Sequence, residues 1–159
     1  MKKILFLCAS VMMLVSCKST IDNKSQVGIK GNWIITSVNY PGSDMIKVNS
    51  FNIADAKCFE GSLWKFVSNN NKGTMELTKS GCPAFSSPIV WTITKTSDFT
   101  LKITEGDKAK NVTQGYFLKV RNQSENAFQL VDNVNVGGKN TEIIEDIVPI
   151  YNIEVKMKI

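Results

Sequence analysis

Four cysteines carry most of the chemistry this chain could do, and histidine occurs nowhere in it. Without an imidazole there is no Ser-His-acid or Cys-His pair to generate a nucleophile at neutral pH, and the commonest transition-metal ligand is missing. Carboxylates could still act as general acids and bases. Asp44, Asp55, Glu60, Glu105 and Asp107, however, fall in connecting segments at spacings that force no two together. Gly137-Gly138 lacks the Gly-Lys-Ser/Thr that completes a phosphate loop, and the chain has neither a Cys-x-x-Cys nor an acidic calcium loop. The residues point away from an enzyme and toward no cofactor or metal.

Cys17 has the most specific setting. Met1-Lys2-Lys3 is a positive head, followed by an apolar run over residues 4–15 that also contains Cys8. A bilayer crossing takes roughly 20 residues; this run is shorter and has the dimensions of a signal-peptide core. Leu14-Val15-Ser16-Cys17 resembles the bacterial lipobox. That resemblance implies cleavage before Cys17, diacylglycerol on its sulfur and an acylated terminus of the palmitate kind. Each buried CH₂ of such chains contributes about 0.8 kcal/mol to membrane binding, and more than one chain gives stable anchoring. The plainer alternative is an ordinary secretory signal with an incidental cysteine. Residues 18–30 are polar and read as a flexible tether. Lys18 after the cysteine, by resemblance to lipoprotein sorting, points to the outer membrane of a Gram-negative cell envelope. The expected organisation is a signal over residues 1–16, a lipidated tether over 17–30 and one domain over 31–159.

That domain is written in period two. Trp33 and Ile35 alternate with polar neighbours, as do Trp64 and Phe66, Met75 and Leu77, and Ile89, Trp91 and Ile93. Phe99, Leu101 and Ile103 continue the pattern, then Tyr116, Leu118 and Val120, then Phe128 and Leu130, and last Tyr151, Ile153, Val155 and Met157. Turn chemistry such as Asn69-Asn70-Asn71-Lys72-Gly73 and Glu105-Gly106-Asp107 separates the segments. The expected fold is all-β: an eight-stranded antiparallel up-and-down barrel whose closure removes exposed edges. A two-sheet sandwich of the same strands stays open. Two longer connections, residues 41–61 and 135–149, are expected to be lids, binding loops or mobile segments, the bland reading of the second being a floppy linker or a strand extension around 142–147.

Removal of the signal and lipidation of Cys17 leave Cys58 and Cys82. An even remainder in an oxidising compartment argues for a disulfide. The strand assignment puts Cys58 before the second strand and Cys82 after the third, so a hairpin brings the two together. Loss of Lys2 and Lys3 takes the formal charge from +5 to about +3. The lysines are scattered singly rather than gathered in a stripe, which speaks against a nucleic-acid partner.

Gly31-Asn32-Trp33 opens the first strand after a polar lead-in. Together with Cys58, the run Gly61-Ser62-Leu63-Trp64-Lys65-Phe66, Gly81-Cys82 and the segment Ile150-Tyr151-Asn152-Ile153-Glu154, it resembles the lipocalin-like lipoproteins of Bacteroidetes. The resemblance implies an eight-stranded barrel behind a lipid anchor, with the tryptophan closing the narrow end, and no agreed ligand. A lipocalin arginine over that tryptophan is not carried over to Arg121, which faces away from Tyr116. The expected lumen residues are Trp33, Ile35, Trp64, Phe66, Trp91, Leu101, Tyr116, Leu118, Phe128 and Tyr151. They either line a site for a small apolar or amphipathic ligand or fill the barrel themselves. In the second case the protein is an envelope interaction or structural protein that contacts a partner through residues 135–149. The anchor is directly testable: Cys17→Ala abolishes incorporation of labelled palmitate and leaves uncleaved precursor, whereas unchanged labelling contradicts the assignment.

Overall fold

Alternation in the sequence becomes alternation of buried and exposed side chains around a single closed sheet. The computed structural model describes residues 21–40 and 47–150. Its elements in chain order are α1 (Asn23–Gly28), β1 (Gly31–Asn39), β2 (Asn49–Ser50), β3 (Ala54–Asp55), a 3-10 turn (Ala56–Phe59), β4 (Leu63–Val67), β5 (Lys72–Leu77), β6 (Phe85–Ile93), β7 (Asp98–Ile103), β8 (Tyr116–Arg121), β9 (Phe128–Val136) and β10 (Lys139–Pro149).

β4 to β10 form an antiparallel meander, and β1 closes it by pairing with β4 on one side and β10 on the other. The result is an eight-stranded closed barrel, with β2 and β3 as a small hairpin outside its wall. Closure excludes the sandwich: a strand with partners on both edges leaves no sheet edge at that seam. A bulge between Ile35 and Ser37 shifts the β1–β10 register. Such an extra residue lets a strand bend around a barrel corner. Where β4, β5 and β6 pack together, the chain needs a glycine. A Cβ on Gly73 would collide with the Lys65 carbonyl and press on Ile89.

Two expectations need correction. The closing strand among the described residues is β10, in the stretch expected to be a long connection; residues 151–157, expected to form the last strand, lie outside the described residues. The period was hidden because Ile143-Ile144-Glu145-Asp146-Ile147-Val148 reads as apolar and acidic doublets. A carboxylate, Glu145, occupies an inward position between buried Ile143 and Ile147. The second correction concerns the tether. Residues 18–20 lie outside the described residues, but from Asp22 onward the chain is ordered structure. The Asp22 carboxylate caps α1 by accepting from the Lys24 and Ser25 amides at 3.1 and 3.4 Å. Gln26 is buried against the barrel end, accepting from the Ile93 amide at 3.1 Å and donating to Asn71 at 2.9 Å. Ile29 is fully buried. A polar stretch can thus dock when its polar groups find backbone partners, which composition does not reveal.

The barrel has two unlike ends. α1 lies over the end where β1 begins and β6 stops; the hairpin, the 3-10 turn and the long loop after β7 gather at the other, here called the mouth. Cys58 and Cys82 are disulfide-bonded at the mouth end, with Cα atoms 5.6 Å apart and 24 residues of sequence separation. The bridge ties the 3-10 turn to the β5–β6 connection and removes closure entropy from the unfolded chain, worth roughly 3 kcal/mol. Cys58→Ser is therefore expected to lower the urea midpoint under oxidising conditions to that of the reduced parent. A further drop when both proteins are reduced contradicts this account.

Candidate functional site at the barrel mouth

Inward positions of the strands are occupied by rings that touch one another. Phe66 is the hub: the rings of Trp91, Trp64, Phe99 and Phe128 lie at centroid distances of 5.1, 6.0, 6.0 and 6.3 Å from it. Trp33 meets Phe128 edge-on at 4.8 Å, and Trp91 stacks on Phe99 at 6.0 Å. Such pairs contribute about 0.5–1.5 kcal/mol each beyond the area they bury. Each indole N–H has an acceptor: Trp33 donates to the Ile29 carbonyl at 2.7 Å, Trp64 to Ser62 Oγ at 2.9 Å and Trp91 to the Lys72 carbonyl at 2.9 Å. Gly31, at φ +138°, makes the turn that brings Ile29 under the Trp33 indole. That is the physical content of the Gly-x-Trp.

Of the residues expected in the lumen, Trp33, Ile35, Trp64, Phe66, Trp91, Leu101, Leu118 and Phe128 are all buried in this one core. Tyr116 is half-buried at the mouth, and Tyr151 lies outside the described residues. Arg121 is on the outer wall, where its guanidinium makes a two-point contact with Glu142 at 2.6 and 2.9 Å; it faces away from the core that holds Trp33.

Phe51, which the sequence does not single out, closes the mouth. It stands at the tip of the β2–β3 hairpin with φ +53°, next to Asn52 at φ +55°. A bulky residue in the left-handed region costs on the order of 1 kcal/mol or more and persists only when its surroundings hold it there. They do: the ring packs at 5.1 Å from Phe59, 5.1 Å from Tyr116 and 6.2 Å from Trp64. Tyr116 Oη also donates to the Phe51 carbonyl at 2.5 Å. The only available hint was a lone phenylalanine in a polar stretch.

Outside this plug is a cleft of about 420 Å³, floored by Phe51, Ile53, Ile103 and Tyr116 and rimmed by Thr104, Glu105 and the loop 107–114. A second cleft of about 470 Å³ at the opposite end runs beside Gly28, Trp33 and Pro149. Burial and the nearby Glu105 carboxylate raise the Tyr116 phenol above its ordinary range.

The acids sort differently from their sequence spacing. Asp55 caps the 3-10 turn, and Glu60 pairs with Lys57 at 3.3 Å and Lys79 at 2.7 Å. Glu105 and Asp107 are both on the cleft rim, and Asp44 lies outside the described residues. The carboxylate that stands out is Glu145. It is buried on the inward face, and its Oε2 has no hydrogen-bond partner among the described residues. Burial, then the neighbouring Asp132 carboxylate, push it up to about 8. Burial raises Asp132 as well. Among the described residues no three His, Cys, Asp or Glu side chains converge as a metal site.

Residues 29–130, most of the chain, match the lipocalin-like domain. The chain belongs to the lipocalin-like domain family. No curated protein and no solved structure matches it. The match to the lipocalin-like domain includes the Gly31-Asn32-Trp33 turn, the disulfide and the Phe51 hairpin, and ends within β9.

Glu145 makes the stability of this lipocalin-like barrel depend on pH. Its folded value lies above its unfolded one, so its contribution is fully present below pH about 4.5 and is lost as pH rises through about 8. Glu145→Gln is isosteric and does not ionise. Its stability advantage over the parent, measured by urea unfolding, is expected to grow between pH 5 and pH 8 to on the order of a few kcal/mol. Parallel curves for the two proteins contradict the burial of an unpaired carboxyl.

Proposed function

We propose that the protein is a lipoprotein of the cell envelope, held at the outer membrane by acyl chains on Cys17, and that its barrel binds a small apolar or amphipathic molecule at the mouth. Residues 1–17 supply the argument for the anchor. The observation that carries the binding site is the contrast between the two parts of the barrel. Below Phe51 the lumen is occupied by the protein's own rings, while above it Phe51, Ile53, Ile103 and Tyr116 offer apolar surface beside polar groups. The lining is mostly polar, with Asn52, Thr104, Glu105, Asp107 and Asn111 around a small apolar floor, a make-up that suits an amphipathic molecule better than a wholly apolar one. No reaction is assigned.

A second reading, an envelope interaction protein with a packed barrel, is favoured by one feature. Phe117 projects from the outer wall of β8 and is 76% exposed. The segment expected to make that contact, residues 135–149, is instead the β9–β10 hairpin, with Ile143 buried in the core.

The readings separate on a fluorescent apolar probe titrated into the unacylated domain. Ile53→Ser, in the cleft, is expected to weaken binding by at least about fivefold, the equivalent of roughly 1 kcal/mol of lost apolar contact. Phe99→Leu, deep in the lumen, leaves the affinity unchanged. Loss on Phe99→Leu with none on Ile53→Ser moves the ligand into the lumen. No binding at all, with a partner captured through Phe117 and lost in Phe117→Ser, supports the second reading.

A further inference from the structure

Two carboxyl groups face the lumen from adjacent strands near the mouth. Asp132 on β9 is paired with Ile143, and Glu145 on β10 with Leu130, which makes the two acids diagonal neighbours on one face of the sheet. Such diagonal positions are within reach of long side chains. Asp132 is the outer member and half-buried; above it toward the rim stand Val134 and Val136, both packed against the core. Glu145 is the inner member, 2% exposed, with Oε2 unpaired and Leu130 and Val38 as its cross-strand neighbours.

A structural role would supply partners. A buried carboxylate is ordinarily paired with a cation or satisfied by several donors. Here the cations on β8, the 3-10 turn and the β5–β6 connection are committed elsewhere, and Lys139, the lysine of β10, is exposed at the hairpin end of its strand. On β8, Lys119 is paired with Asp98 and Arg121 with Glu142, both on the outer wall. Lys57, on the 3-10 turn beside β1, donates to the Val38 carbonyl and pairs with Glu60. Lys79 is bound to Glu60 and to the Lys57 carbonyl. No His, Cys or third acid joins the pair as a metal ligand among the described residues. An acid pair with an unused oxygen, apolar neighbours and an outer member that is only half-buried is complementary to one positive charge carrying N–H donors and a short apolar group.

We propose that Asp132 and Glu145 form the head-group site for a small organic monocation, a protonated alkylamine, whose apolar part lies against Val134 and Val136 at the rim. The inference rests on the reading that the mouth admits a small ligand and goes beyond it in naming the ligand's charge. The ammonium approaches Asp132 from the mouth and then satisfies Glu145 Oε2. Glu145 gives up its proton as the cation arrives, so affinity rises with pH between about 5.5 and 7.5, by up to tenfold per unit for one proton released.

Hexylamine, hexanol and hexanoate, matched in length, separate the possibilities by calorimetry on the unacylated domain. Hexylamine is expected to bind at least tenfold tighter than hexanol at pH 7, with proton release visible as a dependence of the heat on the buffer. Glu145→Gln and Asp132→Asn each reduce hexylamine affinity at least tenfold and leave hexanol affinity unchanged. Asp132→Asn, at the half-buried position, tests the outer carboxylate independently of the stability change expected for Glu145→Gln. Equal binding of amine and alcohol, or amine binding that survives both substitutions, overturns the acid-pair site and leaves the mouth-binding reading standing. Absence of binding by all three probes overturns both.

Discussion

Phe66 touches Trp64 of its own strand and rings contributed by three other strands, and that contact set is what the remainder of the structure depends on. An eight-stranded barrel has an interior just wide enough to be filled by side chains or to hold one small ligand. In this chain large aromatics at Trp33, Trp64, Phe66, Trp91, Phe99 and Phe128 take that volume, and each indole N–H that would otherwise be stranded reaches a carbonyl or hydroxyl. Because side chains change face at every residue, a slip of one position would turn every ring outward. Filling the lumen therefore fixes register, closure and the identity of the two ends together.

The rest of the molecule accommodates that packed interior. At one end α1 and Ile29 close over Trp33; at the other the β2–β3 hairpin is bent into an unfavourable left-handed turn so that Phe51 can cover Trp64. The disulfide anchors the turn that carries Phe59, the neighbour of Phe51. What the filling leaves is a shallow cleft outside the plug, a second cleft beside α1 at the opposite end, and an acid pair in the wall.

Legibility in the sequence followed the clarity of the period. The strands from Trp33 to Leu130 were legible because each keeps strict alternation between recognisable turns. The disulfide was legible because the hairpin between Cys58 and Cys82 makes their proximity a consequence of pairing. β10 was not, since its apolar and acidic residues come in doublets and an inward carboxylate breaks the oily face. For the same reason Glu145 passed unnoticed: a charged residue inside a loop assignment carries no signal, and only the parity set by Ile143 and Ile147 turns it into a buried acid. α1 was missed because its docking uses Gln26 amide bonds rather than apolar surface. Phe51 acts through a backbone conformation that its residue type disfavours, which no propensity would suggest.

The packed lumen is tested most directly by tryptophan emission, because all three tryptophans lie in it at 3%, 1% and 0% exposure. The account predicts a blue-shifted spectrum of the unacylated domain in buffer, with acrylamide quenching far below that of free indole and no spectral change when apolar probes are added at saturating concentration. A red-shifted, readily quenched spectrum, or one that shifts as a probe displaces water from around the indoles, would mean a hollow, wet barrel and would contradict the account at its centre.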